Sequence, residues 1–587
     1  MFGGRAAFAL LSLSGASASL SAGNLRVNYL YATPIPSMIT AVDATSPLDI
    51  SWEVIGGYGA QAFYRFQFAT ANNFSASYLI CDSGVVASSA SLCVPACNEL
   101  SHGAFRFATA HWRVALMQAD GVFSSWTVGS PFVLGGGAAD FAARFIAAPA
   151  AVVAKCAPVR MRAVTKPLGA ALTANITQVT AFVSSPGYVQ VWSGGSRVDE
   201  RHAWGSWPEF RTRVYYIALD VTDHFLAPGA DLTGVPFGFR MGGGAYCAQQ
   251  FAASYNATAV PLLFELRIAF TSGAAIVIAA GSADLPVRVH SDTIVQYDWY
   301  TGETVFNDLS VALNGWDSIN FNANGWAFSE SYENLDGVEL TPSLEHPVKT
   351  FMPIKAVGFS DLGAGNYSWT FPLNFAGIVE ITVNAVGYTN STVTLSGGEE
   401  TDGKGGVICQ LHVCMAVSWR LAGNAAEVIT NSFSFFGAQH FQLSGWPQGM
   451  PPPTIDSAVS IPTSTLIPDK VALTLDFGST AESQDALNTT ILAAVQSAAQ
   501  WGQQSNFQSL PSDCPNREKC VATTAQPRTR TRHTSTPYPP RPPPLHSRPT
   551  SIPRQAWVDG GRQRQCLAGV DEFRRVCVVS IVAFEHA

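Results

Sequence analysis

The sequence predicts a mainly β fold built from tandem antiparallel β-sandwiches, followed by one amphipathic helix and a disordered tail. Charged residues make up only 13%, whereas the chain contains 50 glycines and 35 prolines, a composition that favours short strands joined by tight turns. Alternating apolar and polar runs recur along most of the chain, and helical spacing is convincing only beyond Ser483. A length of 587 residues corresponds to three or four domains.

The first sandwich is predicted at residues 24–135. Short runs such as Phe63–Ala69 and Trp112–Met117 alternate in polarity between turn signals, as in a fibronectin III-like module. The three glycines at 135–137 then mark a linker to the next domain.

Two further sandwiches are predicted after this linker. Residues 138–310 contain strand-like runs at Gln178–Val183 and Val214–Leu219, and we expect a larger, jelly-roll-like sandwich there. Residues 340–455 contain the apolar strand Gly377–Val383 and form the third predicted sandwich.

The character of the sequence changes twice near its end. Leu487, Ile491, Leu492 and Val495 recur at helical spacing within residues 470–519. Residues 520–587 carry nine prolines between Pro527 and Pro553 and no helical or strand period over most of their length, which predicts a disordered tail.

Several features predict a secreted protein. Residues 1–18 place Arg5 before an apolar run and then small residues, as in a cleaved secretory signal. Two groups of cysteines, Cys81 with Cys93 and Cys97, and Cys409 with Cys414, indicate one or two local disulfides rather than a metal site. Acceptor triplets for N-glycosylation begin at Asn73, Asn175, Asn256, Asn366, Asn390 and Asn488.

Charge and hydropathy exclude some partners. After Cys520 ten arginines face four acids, a net charge of +6, so the total of −8 leaves −14 for the preceding residues. An acidic body has no broad basic surface for nucleic acid, and no apolar run is long enough to span a membrane. We expect no cofactor and no metal.

Several short signatures, read in order, resemble the α-L-rhamnosidases of glycoside hydrolase family 78. The resemblance covers about Leu25 to Lys519 and lies in Leu25–Val27, Ser51–Trp52, Ala62–Tyr64, Trp112–Val114, Ser125–Trp126, Gly187–Val189, Arg213–Tyr216, Asp220–Asp223, Tyr300–Thr304, Asp361–Asn366, Phe435–Gln439, Gly445–Pro447 and Asn506–Glu518. It implies that the helix after Ser483 begins an (α/α)6 catalytic barrel, and that the substrate is a rhamnose-containing glycoside or polysaccharide.

The last signature implies the site residues. It resembles the entrance to the family's barrel, so Glu518 inherits the role of general acid and Asp513 that of a carboxylate that hydrogen-bonds rhamnose. Arg517, beside Glu518, would assist substrate binding through charge or a hydrogen bond. Inverting hydrolysis also needs a second carboxylate, a base, on the opposite face of the sugar.

The match stops after Lys519. The family continues with Gly-Trp-x-Gly-Asp, whereas this chain continues with Cys520 and Val521 and then the Pro/Arg-rich tail. This coincidence predicts a reading-frame error or a retained intron after Lys519. It also predicts an incomplete barrel that lacks the catalytic base, and hence an inactive chain.

Two alternatives remain open at this point. The sandwiches alone would make a non-catalytic carbohydrate-binding protein, in which Trp192, Trp204 and Trp207 form a sugar-stacking surface, although core packing accounts better for these residues. A lone barrel helix with an exposed apolar stripe would instead make an unstable product that proteolysis trims after about Ser479.

Overall fold

The fold was analysed in a computed structural model of the chain. The structure describes residues 20–28, 30–31, 37–44, 46–56, 60–95, 97, 100, 105–199, 208–248, 252–297, 305–310, 313–343, 346–408, 416–464, 498–499, 501, 507–508 and 510–511. The predicted fold class is confirmed over these residues, because strands stacked into sandwiches make up most of them. The signal-like residues 1–18 and the tail at 520–587 lie outside the described residues.

The first sandwich places Trp52, Phe68, Trp112 and Phe132 in its core, each at most 3% exposed. These side chains occupy the inward-facing positions of strands in which apolar and polar residues alternate. The alternation in the sequence therefore marks strands with one buried face, as predicted. The strands are β1 (Ser21–Val27), β2 (Leu30–Tyr31), β3 (Met38–Asp43), β4 (Ile50–Ile55), β5 (Phe63–Ala69), β6 (Leu79–Asp82), β7 (Val86–Ala87), β8 (Leu92–Cys93), β9 (Thr109–Met117), β10 (Thr127–Val128) and β11 (Phe132–Gly135).

The second sandwich packs two sheets around a core of Val, Ile, Leu and Phe side chains that includes Phe237, Phe239 and Phe264. The strands of this part of the chain are β12 (Ile146–Ala147), β13 (Val159–Val164), β14 (Ile176–Ser184), β15 (Tyr188–Ser193), β16 (Ser196–Arg197), β17 (Arg213–Asp220), β18 (Pro236–Gly242), β19 (Leu263–Phe270), β20 (Ala275–Ala279), β21 (Val287–Ser291), β22 (Ile294–Tyr297), β23 (Val305–Asp308), β24 (Ala327–Phe328), β25 (Glu330–Ser331) and β26 (Glu339–Pro342). The connections contain the short helices α1 (Ala170–Thr173), α2 (Thr222–Leu226), α3 (Ala230–Thr233) and α4 (Gly244–Cys247).

The third sandwich is organised around one long central strand, which pairs with several partners along its length. Its strands are β27 (Lys349–Thr350), β28 (Ile354–Lys355), β29 (Gly358–Gly363), β30 (Asn366–Val383), β31 (Thr392–Gly398), β32 (Glu400–Thr401), β33 (Val407–Ile408), β34 (Ala416–Arg420), β35 (Glu427–Thr430), β36 (Phe436–Ser444) and β37 (Ala458–Ser464). Trp369, Phe371, Trp419 and Phe441 fill its core. Two short strands, β38 (Phe507–Gln508) and β39 (Leu510–Pro511), follow later in the chain.

The first two sandwiches share a continuous sheet. β3 pairs in parallel with β11 of its own sandwich and antiparallel with β17 of the second, where Ile39 lies opposite Ala218. The glycines at 135–137, predicted to be a linker, are fixed by the second sandwich: the Tyr216 hydroxyl donates to the carbonyl oxygen of Gly136 at 3.0 Å and accepts from its N–H at 2.9 Å. A Cβ at Gly135 would collide with the same hydroxyl, so the close approach requires glycine there.

Strand pairing also crosses the predicted limits of the second and third sandwiches. β22 and β23, which fall within predicted residues 138–310, belong to the sheet of the third sandwich through the pairing of β23 with β34. β26, which falls within predicted residues 340–455 for most of its length, pairs in parallel with β17 of the second sandwich. The chain therefore exchanges strands between the two sandwiches, and their shared hydrophobic core follows from that exchange.

Two disulfides cross-link the described residues. Cys81 is bonded to Cys97, which confirms one local pair within the predicted group of three cysteines. Cys156 is bonded to Cys247 across a sequence separation of 91 and was not predicted. Cys93 is a free thiol, and Cys409 and Cys414 lie outside the described residues.

Candidate functional site

The three predicted site residues, Asp513, Arg517 and Glu518, lie outside the described residues. The nearest described position is Pro511 at the end of β39, two residues before Asp513. Their roles therefore stay predictions. Of residues 465–512 the structure describes 498–499, 501, 507–508 and 510–511, and it bears on other candidate sites in the sandwiches.

Some of the described residues that precede Asp513 contact the third sandwich. β38 and β39 pair antiparallel with one another, and β38 lies against β37 at one side of the third-sandwich sheet. Earlier in this stretch, Trp501 packs partly against the core of the third sandwich and donates its indole N–H to the backbone oxygen of Asn374 at 2.6 Å. Of the predicted amphipathic helix, the described residues include the helical positions Ala498–Ala499 and Trp501.

A buried carboxylate lies at the junction of the second and third sandwiches. Arg160 and Arg240 face one another across β13 and β18, and Asp292 forms ion pairs with both, with N–O distances of 3.0 Å to Arg160 and 3.0–3.2 Å to Arg240. Arg240 also donates to the Ser432 hydroxyl of the third sandwich at 2.9 Å. The Asp292 side chain is 0% exposed.

Electrostatics argue against a catalytic role for Asp292. Burial alone would raise the pKa of this carboxyl, but the charges of Arg240 and Arg160 outweigh burial and hold the pKa below its ordinary value. A carboxyl that stays ionised and sealed from solvent cannot donate a proton to a substrate. The arrangement joins the two sandwiches instead, and nothing in the local sequence around Asp292 could have identified it.

A second buried acid, Glu265 on β19, supports a loop of the second sandwich. Its carboxylate accepts the backbone N–H groups of Ala142 and Ala143 at 2.7 and 2.9 Å. Arg267 pairs with the same carboxylate at 2.7 Å and places its guanidinium 3.5 Å from the centre of the Phe107 ring. Glu265 is 0% exposed, so it too is a structural group.

Trp192 does not form an open stacking surface. Its side chain packs against a small cluster around Trp316 and Trp326, whose rings stack with centroids 6.5 Å apart. These rings cover the outer face of the sheet ordered β16-β15-β18-β13-β21-β24, where Arg160 lies 5.1 Å from the Trp316 ring. The core-packing interpretation therefore holds for Trp192, whereas Trp204 and Trp207 lie outside the described residues.

His346 is a buried titratable group in the segment between the second and third sandwiches. Burial, together with the positive charges of Lys349 and Arg26, lowers its pKa to about 4. It lines a small cavity of about 20 Å³ together with Tyr216 and Ser343. This volume is enough for a water molecule but not for a sugar.

Two larger cavities lie in the second sandwich. One of about 270 Å³ is lined mainly by apolar side chains, with Arg144 and Asp336 as its charged residues. The other, of about 160 Å³, is lined largely by alanines together with Glu330 and Tyr332. Each contains a single carboxylate, so neither provides the facing pair that inverting hydrolysis requires. Within the described ranges, no group of three or more His, Cys, Asp or Glu side chains is placed to bind a metal ion.

No helix in the described part of the chain is long and apolar enough to cross a membrane.

Comparison with known proteins shows which proteins this chain is similar to. Residues 174–351 match the family model of the α-L-rhamnosidase N-terminal domain. A curated α-L-rhamnosidase from Streptomyces avermitilis is 25% identical over 349 residues, which cover 59% of this chain and 31% of that protein. Residues 174–351 contain strands of the second sandwich and also β22, β23 and β27, which lie in the sheet of the third.

Solved structures show the same fold. The α-L-rhamnosidase from Dictyoglumus thermophilum superimposes with a TM-score of 0.68 at 17% identity and covers 85% of this chain and 53% of its own. The Streptomyces avermitilis enzyme, solved with L-rhamnose, gives 0.67 at 16% identity, with 85% of this chain and 61% of its own covered. The Aspergillus terreus enzyme gives 0.65 at 18% identity, with 85% and 54% covered.

The three solved structures place the described sandwiches in the fold class of the α-L-rhamnosidases. Within that class the chain is a relative of the α-L-rhamnosidases, as the sequence signatures predicted. The chain spans between about half and three fifths of the length of these solved relatives.

Proposed function

We propose that the chain functions as an α-L-rhamnosidase-type glycoside hydrolase that removes terminal, non-reducing α-L-rhamnose with inversion. Glu518 would protonate the glycosidic oxygen of the leaving group, while Asp513 and Arg517 would bind the sugar. Inversion also requires a base that activates water from the opposite face of the ring. The departure of the sequence after Lys519 predicts that this chain lacks that base, so the activity test below also decides between an active and an inactive chain. The substrates would be rhamnose-containing glycosides or polysaccharides.

The observation that carries this proposal is the match to an α-L-rhamnosidase N-terminal domain over residues 174–351. A general acid at neutral pH needs a raised pKa, which burial of Glu518 in a sugar-filled pocket would supply.

The test is release of the aglycone from an aryl α-L-rhamnoside by the full chain. Loss of a general acid typically costs about 10²- to 10⁴-fold in rate, so Glu518→Gln should lose activity on that scale. NMR of the first sugar released should reveal the β-anomer, as inversion requires. An equal rate for wild type and Glu518→Gln would refute the assignment of Glu518.

A second candidate function rests on the departure of the sequence after Lys519, where Cys520 and Val521 replace the family's Gly-Trp-x-Gly-Asp. This departure favours a chain without turnover, in which the sandwiches bind carbohydrate. Calorimetry would then detect rhamnoside binding that Glu518→Gln leaves unchanged, and the aryl rhamnoside would not be cleaved.

We also propose that the protein is secreted and glycosylated. The signal-like residues 1–18 support export, and disulfides such as Cys156–Cys247 suit an oxidising compartment. Asn73, Asn256 and Asn390 are exposed acceptor positions on the sandwiches. Mass spectrometry of the secreted protein before and after deglycosylation tests this, and an unmodified protein that keeps residues 1–18 would contradict it.

A further inference from the structure

The long sheet that joins the first two sandwiches ends at β20 (Ala275–Ala279). The strands at this end are ordered β20-β19-β14-β17, and among the described residues no strand pairs with the outer side of β20. The five residues of β20 are Ala, Ile, Val, Ile and Ala, all of them apolar and uncharged. An edge strand of this kind offers its outward backbone groups to another strand.

Two hydrogen bonds at the ends of β20 fix which of its backbone groups point outward. The N–H of Ala280 donates to the backbone oxygen of Phe264 at 2.9 Å. At the other end, the N–H of Phe270 donates to the backbone oxygen of Ala274 at 3.0 Å. Because bonding alternates along an antiparallel pair, the even-numbered residues between these bonds face β19. The residues whose N–H and C=O groups point away from the sheet are Ala275, Val277 and Ala279.

β20 lacks the features that usually protect an edge strand. Proline, lysine and bulges are the common devices, whereas β20 contains no proline and no charge and pairs with β19 without a shift in register. Arg267, the nearest charged residue before β20, pairs with Glu265 at 2.7 Å. Asp284, the nearest one after it, pairs with Lys166 at 2.7 Å. No unpaired charge next to β20 therefore repels a second strand of the same sequence.

We propose that β20 is a dimer contact, at which it pairs antiparallel with β20 of a second copy of this chain. A two-fold axis through Val277 places this residue opposite itself and Ala275 opposite the partner's Ala279. All three residues face outward, so the donors and acceptors of the two strands match. The Ala279 oxygen accepts the N–H of Ser282 at 3.2 Å and keeps a second lone pair for the partner. Since this pairing uses the edge of each copy once, assembly stops at two chains.

The side chains favour the same register. Ile276 and Ile278 lie on the face of β20 that packs against the second-sandwich core, with Ile278 6% exposed and Ile276 partly buried. In the dimer Ile276 lies opposite the partner's Ile278, and β-branched pairs of this kind stabilise neighbouring strands. A shift by one residue would bring outward groups opposite inward ones, and a shift by two would leave one end of β20 unpaired. The contact is small, so the dimer should be weak and depend on concentration.

Sedimentation velocity of the full chain across a range of concentrations tests the dimer. Wild type should pass from monomer to dimer as the concentration rises. Val277→Pro removes an N–H that points away from β19, so the ladder within the chain is kept while the dimer loses two hydrogen bonds, one from each copy. The dissociation constant should therefore rise roughly 30-fold. Val277→Thr is the control, because it keeps both the N–H and a β-branched side chain and should dimerise as wild type does.

A second variant guards against misfolding of Val277→Pro. Val277→Lys keeps the N–H but brings two like charges together at the axis, so it too should weaken the dimer. Thermal unfolding of each variant shows whether the chain remains folded. A wild type that stays monomeric at every concentration, or a folded Val277→Lys that dimerises as well as wild type, would overturn the proposal.

Cross-linking tests the register. Residues that exchange hydrogen bonds across an antiparallel pair have Cα atoms about 5.5 Å apart, a separation that a disulfide can span. Val277→Cys should therefore form a covalent dimer on oxidation, above the background of wild type on a non-reducing gel. The matched control is Val428→Cys, since Val428 on β35 is similarly exposed, at 49% against 42% for Val277. Equal cross-linking of the two variants would contradict this register, and neither experiment depends on the hydrolase proposal because no substrate is needed.

Discussion

Arg240 and Asp292 meet at the point where the chain passes from the second sandwich to the third, with N–O distances of 3.0–3.2 Å and no solvent access to the carboxylate. Asp292 separates two arginines that strand pairing places directly opposite each other. Like charges in that position repel one another, so the carboxylate stabilises the pairing of β13 with β18 there.

Removing the negative charge of Asp292 should destabilise the folded protein. We expect Asp292→Asn to lower the free energy of unfolding by about 3–5 kcal/mol, because it leaves two buried guanidinium groups without their counter-ion. Urea unfolding followed by fluorescence measures the change. The control is Asp284→Asn, which breaks an exposed pair with Lys166 and should cost less than about 1 kcal/mol. Equal effects of the two substitutions would contradict the role of Asp292.

His346 predicts how stability depends on pH. Its pKa is about 4 in the folded protein and near 6.5 when unfolded, so the unfolded state takes up a proton first as pH falls. Stability should therefore be complete above about pH 6.5 and decline towards pH 4, by up to about 3 kcal/mol. Unfolding free energies measured across this range should have a shallower slope in His346→Asn than in wild type, and parallel slopes would refute the prediction.

Gly238 provides a test of close packing. A Cβ at this position would lie 2.7 Å from the Trp316 ring and 2.8 Å from the Asp317 Cβ, so Gly238→Ala should destabilise by about 1–3 kcal/mol. Gly325→Ala is the control, since nothing lies within 4 Å of a Cβ there. Thermal unfolding should separate the two variants. Similar unfolding midpoints for the two variants would show that the cluster around Trp316 rearranges to accept a methyl group, and would contradict the prediction.

The long-range disulfide should contribute more than the local one. Closing a loop of 91 residues lowers the conformational entropy of the unfolded chain by the equivalent of about 4.6 kcal/mol, whereas the 16-residue loop of Cys81–Cys97 gives about 3 kcal/mol. We expect Cys156→Ala with Cys247→Ala to lower the unfolding midpoint further than the paired alanine variant of Cys81 and Cys97. Cys93→Ala, which removes a free thiol, should change it least.

The sequence was informative wherever structure depends on local pattern. The alternation in Phe63–Ala69 and in Gly377–Val383 identified strands that the structure contains in β5 and β30. Pairing between distant segments could not be predicted in this way. The contact of Ile39 with Ala218, and the bond of Cys156 to Cys247, join segments that no periodicity relates.

The candidate site was predicted by motif alone. Asp513 and Glu518 follow from a resemblance, and their placement is untested because both lie beyond the described strands. Buried acids such as Asp292 and Glu265 look the same in sequence as solvated ones, since only the folded surroundings distinguish them. The hydrogen bond of Trp501 to the backbone oxygen of Asn374 likewise joins segments that no sequence pattern relates.

The sheet that runs from β17 through β3 into β11 has a consequence for how the protein can be divided. A cut at Gly136 would part hydrogen-bonded strands and open the margins of Met38–Asp43 and Arg213–Asp220 to solvent. Unpaired strand edges of this kind recruit other copies, so the isolated halves should self-associate more than the intact chain does. The first sandwich therefore shares strand pairing with the second. A chimaera made by exchanging domains between relatives would have to transfer both sandwiches together.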